Sequence, residues 1–371
     1  MRSRLFCAVL LLTLSGTGIN SPAASSAQKE NTPKVVWHSV SDWDIEGRAW
    51  PVDELDSPYH RLLSKAEGIV RDKVWNLSQT SSAMACRFNT DATEITIKYT
   101  FGDKALALPH ITATGVSGVD LYALDSSGHW KWVSCSKSSG TEVTHTISGI
   151  DPGMRTSMAY FPLRNSLFDI SLGVPRGAKF QPVAPRSEKP TVFYGTSITH
   201  GACASRPGMS HAAILGGRLN LPVVKLGFAG NGTMDPEVGA LLTELDAAVY
   251  VIDCLPNMNG DQVAKKTEPL VKPLRQARPD TPVVLVEDRS FSNSWLFKGR
   301  RDHHEKIRSA LVRAYDNLVS SGVKTPYYLE GEDLLGDDIE ATAGGSHPSD
   351  LGFLRQIKAF EPLLKQAIGL N

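Results

Sequence analysis

Residues 191–201 read TVFYGTSITHG, and the reading of this stretch governs that of the rest of the chain. A short β-favouring apolar run ends at Gly195, and Ser197 follows at once in a Ser/Thr-rich segment. An apolar run this short, bounded by turn residues, has the pattern of a strand buried on both faces. A glycine beside a serine frees the chain to turn sharply, which would display Ser197 at the end of that strand. Taken alone, a serine so placed is more often a turn or helix-cap residue than a nucleophile.

Downstream the pattern repeats. Apolar runs at 222–226, 249–252 and 283–286 alternate with helical stretches. Within 235–245, Val238, Leu241, Leu242 and Leu245 fall at i, i+3, i+4 and i+7. Within 301–321, Ile307, Ala310, Leu311, Ala314 and Leu318 repeat the stripe, as core-facing helices do. Strands alternating with helices predict a parallel, doubly wound sheet, with ligands gathered beyond the carboxyl ends of the strands.

Three more loops should reach that edge. The run at 222–226 leads into Gly227-Phe228-Ala229-Gly230-Asn231-Gly232. Its glycines would let backbone N–H groups approach an oxygen, as an oxyanion hole requires, and their spacing fits neither dinucleotide nor phosphate-loop patterns. The run at 249–252 leads into Asp253-Cys254-Leu255-Pro256-Asn257-Met258, which offers the Asn257 amide. Near the C-terminus, His347 precedes a final amphipathic helix with Ser349 or Asp350 as N-cap and Leu351, Leu354, Ile357, Leu364 and Ile368 as its apolar stripe.

Upstream, short β-type runs at 94–100, 119–124, 130–134, 142–147 and 167–172 are separated by Gly- and Ser-rich turns. They predict a β-sandwich domain over 34–175, and Pro182, Pro185 and Pro190 mark 176–190 as a linker to a second domain at 191–371. Residues 1–27 read as a cleavable signal peptide: Arg2 and Arg4, an apolar run from Leu5 to Leu14 too short to span a bilayer, then Ser25-Ser26-Ala27. A secreted or periplasmic protein is expected.

Loss of Cys7 with that peptide leaves Cys86, Cys135, Cys203 and Cys254. They permit disulfides Cys86–Cys135 and Cys203–Cys254, with buried free thiols as the equal alternative. No His/Cys cluster has zinc-site spacing along the chain. The 371 residues carry a formal net charge of zero, which lacks the basic excess of a nucleic-acid partner, and no later stretch predicts a membrane span.

The four edge loops, in order and spacing, resemble the SGNH (GDSL-like) hydrolase family. Ser197, Gly230, Asn257 and His347 match its four blocks across residues 190–371. The strings GTSITHGACASRPGM, GFAGNG, DCLPNM and SHPSDLGF, with AEGIVRDKVWNLSQ and GVDLYAL upstream, are similar to a subgroup that carries an N-terminal β-domain. The resemblance implies a flavodoxin-like doubly wound sheet preceded by the β-sandwich, with Ser197 as nucleophile and His347 as general base. It places the N–H groups of Ser197 and Gly230 and the Asn257 amide in the oxyanion hole, and it needs no metal or organic cofactor. The expected substrate is an acylated oligo- or polysaccharide losing a small acyl group, acetyl foremost. A lipid esterase or thioesterase is one alternative, and a catalytically impaired carbohydrate-binding protein is another. Trp130 and Trp132 lie on one strand face, either as core or as sugar-stacking rings.

One position departs from the pattern. The family usually carries an aspartate three residues before the histidine, and here that residue is Gly344. Three readings stay open. Another acid substitutes, Glu287 or Asp288 after the fourth strand, or one of Asp333, Asp337, Asp338 and Glu340. Alternatively a backbone carbonyl holds the histidine in a Ser–His dyad, or catalysis is impaired. Glu287 could equally pair with Arg289 or Arg206, both of which are also candidates for substrate contact, and His200 is expected to line the pocket.

Overall fold

Alternation of apolar and polar residues builds the N-terminal half. In β3 (Glu94–Phe101), Ile95, Ile97, Tyr99 and Phe101 are buried, while Lys98 between them is exposed. The computed structural model describes residues 35–324 and 326–370, so the expected signal peptide lies outside the described residues. One antiparallel sheet joins β1 (Val35–Ser39), β8 (Leu167–Pro175), β3 and β6 (Glu142–Ser148), in that order. The other runs β5 (Trp130–Cys135), β4 (Asp120–Leu124), β7 (Arg155–Tyr160), β2 (Ala85–Thr90), β9 (Phe180–Val183). Ile97 and Leu172 from the first sheet share one core with Phe88, Leu121 and Ala159 from the second, which makes the pair a β-sandwich.

The segment read as a linker is structured. Its β9 pairs with β2, and the Phe180 ring stacks on His38 with centroids 3.9 Å apart. Beyond it, Arg186 forms a buried ion pair with Glu46 and donates to the Gly216 carbonyl at 2.9 Å. Proline signalled a break there, but Pro182 sits on an edge strand, where the sheet tolerates a missing N–H.

The second half holds a five-stranded parallel sheet of β10 (Thr191–Gly195), β11 (Val223–Gly227), β12 (Val249–Asp253), β13 (Val283–Val286) and β14 (Pro326–Leu329). Its order, β11-β10-β12-β13-β14, is the flavodoxin-like one, with the switch point between β10 and β12. Val192 and Tyr194 of β10 pack toward α5 (Pro236–Thr243), α6 (Gly260–Ala277) and α7 (Lys298–Ser320). Phe193 packs toward α4 (His211–Leu219) and α8 (Asp350–Ile368) on the other face. Helix α6 contains Pro269 and Pro273, which disguised it in the sequence, and it starts at an Asn259–Gln262 capping box.

The buried face of α8 differs from the expected stripe. Phe353, Ile357, Phe360 and Leu364 are buried, whereas Leu351 and Leu354 are exposed. A stripe starting two residues later has the same period, and the large rings of Phe353 and Phe360 decide which face turns inward.

Residues from Val35 onward form one compact unit. Trp50, Leu62, Ala66, Val70, Val74 and Trp75 from the N-terminal half lie in the core under the parallel sheet. From Leu62 to Val74 they recur every four residues, and α1 (Asp72–Ser78) carries Val74 and Trp75.

Candidate active site

Register brings the edge loops together. Gly195 pairs with Gly227 on one side and with Asp253 on the other, so the turns after β10, β11 and β12 leave the sheet side by side. Close approach explains the glycines. A Cβ on Gly195 would lie 2.1 Å from Thr199 Oγ1 and 2.4 Å from the Asp253 carbonyl. One on Gly232 would lie 1.9 Å from the Gly195 carbonyl. Any side chain there would push the glycine-rich loop off the serine turn.

Ser197 opens a four-residue helix, α3 (Ser197–His200), which Thr196 caps by accepting the Ile198 N–H and Gly201 ends in the left-handed region. Its Oγ lies 2.8 Å from His347 Nε2. His347 sits in a small hairpin, β15 (Thr342–Ala343) with β16 (His347–Pro348), immediately before Ser349 at the N-terminus of α8. Residues 150 positions apart are thereby brought into the hydrogen-bond contact that a nucleophile and its base require.

Gly230 has φ of +70° in the turn where the Asn231 and Gly232 N–H groups donate to the Phe228 carbonyl. Asn257 ends the turn Leu255–Asn257 directly after β12, and its Oδ1 is buried with no hydrogen-bond partner among the described residues. Leaving a polar atom so costs about 1–3 kcal/mol, a cost that concentrates at functional sites.

Arginines from the N-terminal half hold this loop. Arg71 donates to Asn231 Oδ1 at 2.9 Å and to its carbonyl at 2.8 Å, and pairs with Asp235 at 2.7 Å. Arg61 donates from Nη1 to the carbonyls of Lys225 and Gly227, both at 2.9 Å. Neither role is visible in local sequence, since each bond spans about 160 residues or more.

No carboxylate takes the place vacated at Gly344. Among the described residues, none comes within 4.0 Å of a His347 ring nitrogen. Gly344 is exposed with φ of +77°, a conformation that suits glycine and disfavours aspartate. Glu287, the leading substitute, is committed elsewhere: it accepts from Tyr328 Oη at 2.5 Å and Gly331 N–H at 2.8 Å, and faces Arg308 at 3.4 Å. Asp288 pairs with His304 at 3.1 Å, and Asp338 with Arg355. The geometry is that of a dyad, and Glu287 is not its acid.

Other candidates resolve into structural roles. Arg289 is buried and pairs with Asp253, which also accepts from Thr199 Oγ1 at 3.2 Å, pinning α3 to the end of β12. Arg206 pairs with Asp120 at 2.9 Å, beneath Trp132. His200 is fully buried, its Nε2 2.7 Å from the Leu163 carbonyl and 3.1 Å from Thr80 Oγ1, so it joins the halves instead of lining the pocket. Trp132 is 53% exposed, and Trp130 lies under Arg87, so neither belongs to the sandwich core. All four cysteines are free thiols, and neither permitted disulfide forms.

Three residues that the sequence does not tie to His347 stand near it: His110, Arg164 and Cys203. Burial, then His110 and Arg164, hold the His347 pKa below the ordinary histidine value. A general base must be neutral, so a lowered pKa extends activity toward acid. The acid limb of kcat/KM for ester hydrolysis should have its midpoint below about 6.5. A midpoint above 7 would mean that a carboxylate reaches the imidazole after all.

Residues 188–365 match the GDSL-like lipase/acylhydrolase family model, and residues 35–180 match that of the N-terminus of SGNH hydrolase-type esterases. A solved structure from Bacteroides ovatus, described as a GDSL-like lipase, is similar at TM-score 0.86 and 26% identity, covering 91% of this chain and 99% of that one. The salicylyl-acyltransferase SsfX3 of a tetracycline biosynthetic pathway is similar at TM-score 0.70 and 16% identity, over 91% and 98% of the two chains. An acetyl xylan esterase, Est2A, from the rumen bacterium Butyrivibrio proteoclasticus gives TM-score 0.57 at 11% identity, over 91% and 99%. The last two likenesses are of fold alone. No curated protein matches the chain.

Proposed function

Since the chain belongs to the SGNH (GDSL-like) hydrolase family, whose members include carboxylic ester hydrolases, we propose that it removes small O-acyl groups, acetyl foremost, from oligo- or polysaccharides. The observation that carries the mechanism is the 2.8 Å contact between Ser197 Oγ and His347 Nε2. Ser197 Oγ attacks the ester carbonyl as its proton passes to His347 Nε2. The N–H groups of Ser197 and Gly230 and the Asn257 amide hold the oxyanion. The tetrahedral intermediate collapses as His347 gives its proton to the departing sugar oxygen, which leaves as a hydroxyl, and water then releases the acid from the acyl-enzyme by the same steps. Removing one oxyanion donor typically costs about 10²–10³ in kcat, which is the expected loss for Asn257→Ala.

Substrate class rests on two supports. A structural neighbour of the same fold is, by its name, an acetyl xylan esterase. In this chain Trp295, Leu296 and Phe297 are 67%, 61% and 49% exposed. They follow Ser292, whose N–H donates to the Gly345 carbonyl at 2.9 Å and whose hydroxyl lies 2.7 Å from Thr342 Oγ1, beside the His347 hairpin. Flat exposed rings near a reaction centre suit stacking on sugars.

The same patch also favours a second reading, a lipid esterase, because an apolar rim would receive long acyl chains. A p-nitrophenyl ester series separates the two. Under the carbohydrate reading, kcat/KM for acetate exceeds that for octanoate by about tenfold or more, since a small acyl pocket rejects extra methylenes. The opposite preference would establish the lipid reading. The residues 1–27 support export, and N-terminal sequencing of the mature protein from its host checks it, with an uncut Met1 sinking the idea. Among the described residues no helix is long and apolar enough to cross a membrane.

A further inference from the structure

We propose that His110, Cys203 and His347 form an inhibitory site for a thiophilic divalent cation, zinc foremost, which switches the esterase off by occupying its own general base. The inference rests on His347 acting as that base. One ligand atom from each residue lies within 4.8 Å of the other two. The three are remote in sequence, at positions 110, 203 and 347, which is why spacing along the chain gives no zinc signature.

Each ligand is set by local structure. His110 occupies a two-residue turn closed by paired backbone bonds between Leu108 and Ile111, both 3.0 Å. Cys203 is a non-glycine residue at φ of +69°, a conformation that costs energy and tends to be kept where a side chain must be aimed. Ile111 and Ala202 lie in one apolar cluster with Cys203 packed on it, and Thr112 Oγ1 donates to the Ser205 carbonyl at 2.9 Å, so the two loops are locked together. His347 is fixed by its hairpin. Its ring lies 5.3 Å from that of His110, centroid to centroid.

Two imidazoles and a thiolate are a common zinc donor set, and bond lengths of about 2.0–2.3 Å place ligand atoms roughly 3.3–3.8 Å apart around a tetrahedral ion. From a separation of 4.8 Å the loops need to close by about 1.0–1.5 Å to reach that geometry. On binding, the Cys203 S–H proton goes to solvent as the sulfur–metal bond forms, and water fills the remaining position.

Inhibition follows whichever ring nitrogen of His347 is taken. A neutral imidazole has a single basic lone pair. If the metal takes Nε2, the contact with Ser197 is lost directly. If it takes Nδ1, the ring proton resides on Nε2, which can then no longer accept a proton from Ser197. Metal and proton compete for one lone pair, so no arrangement leaves the base intact.

The test uses the full mature chain, freed of metal by chelation. Zinc is titrated against p-nitrophenyl acetate hydrolysis by wild type, His110→Ala and Cys203→Ser, each rate being normalised to the same protein without metal. Wild type should lose activity at low-micromolar zinc and regain it with a chelator, and each variant should need roughly tenfold or more zinc. A wild-type enzyme insensitive below millimolar zinc, or variants inhibited as strongly as wild type, would overturn the site. Cobalt(II) added to Ser197→Ala gives a readout independent of turnover: a thiolate-to-cobalt absorption band that Cys203→Ser abolishes. If the band forms but metal-free wild type hydrolyses no ester, the metal site stands and the esterase reading falls. If wild type hydrolyses ester but no band forms, the reverse holds.

Discussion

Ser197→Ala and His347→Ala should each lower kcat for p-nitrophenyl acetate by about 10⁴-fold or more, and the double variant should be no slower than the slower single one. Nucleophile and base act as a unit: without the base the hydroxyl is a weak nucleophile, and without the hydroxyl the base has nothing to activate. The rate left over comes from the oxyanion donors and from substrate binding, which neither change removes. Thermal stability is the control. Among the described residues the one side-chain hydrogen bond of Ser197 Oγ is to His347, so alanine at either position should leave the melting temperature nearly unchanged. Additive losses, multiplying to the product of the singles, would show that the two residues contribute separately.

Arg61→Met should destabilise the fold by several kcal/mol, about 4, or prevent folding altogether. Arg61 is 2% exposed and donates to four backbone carbonyls: Leu77 at 2.5 Å, Thr80 at 2.9 Å, and Lys225 and Gly227 at 2.9 Å. Burial pushes its pKa down to about 9, which still leaves it charged at neutral pH. Methionine fills much of the volume but orphans those carbonyls, each at about 1–3 kcal/mol, with relaxation recovering part of the sum. Because Lys225 and Gly227 lie at the end of β11 that leads into the loop carrying Gly230, any folded fraction should also lose kcat more than it gains KM. A urea midpoint within error of wild type would contradict this account of how the two halves are joined.

Much of the fold was legible because it rests on local patterns. Period-2 alternation in β3 and the apolar runs of β10 to β13 gave strands within a few residues of those observed. Strands β2 and β7 were harder, since Arg87, Asn89 and Arg155 interrupt their apolar residues. The edge positions of Ser197, Gly230 and Asn257 followed from where each strand ends, and that of His347 from where the last helix begins. The fate of the missing acid did not. Glu287 follows a strand end where a catalytic carboxylate could stand, but in the structure it turns to Tyr328, Gly331 and Arg308 and stays out of reach of His347. The same limit applies to Arg61, Arg71, His110 and Cys203, whose partners lie far along the chain. Helix α8 shows a subtler failure, where two faces had similar apolar content and packing of the phenylalanines chose between them.

The central claim is that Ser197 forms an acyl-enzyme with His347 as its base and no carboxylate behind it. Rapid mixing of the protein with p-nitrophenyl acetate, an acid quench and peptide mapping by mass spectrometry test it directly. A burst of p-nitrophenol with an acetyl group on Ser197, both absent from Ser197→Ala, is the result predicted. Ester hydrolysis that persists unchanged in Ser197→Ala, or an acetyl group trapped on another residue, would contradict it.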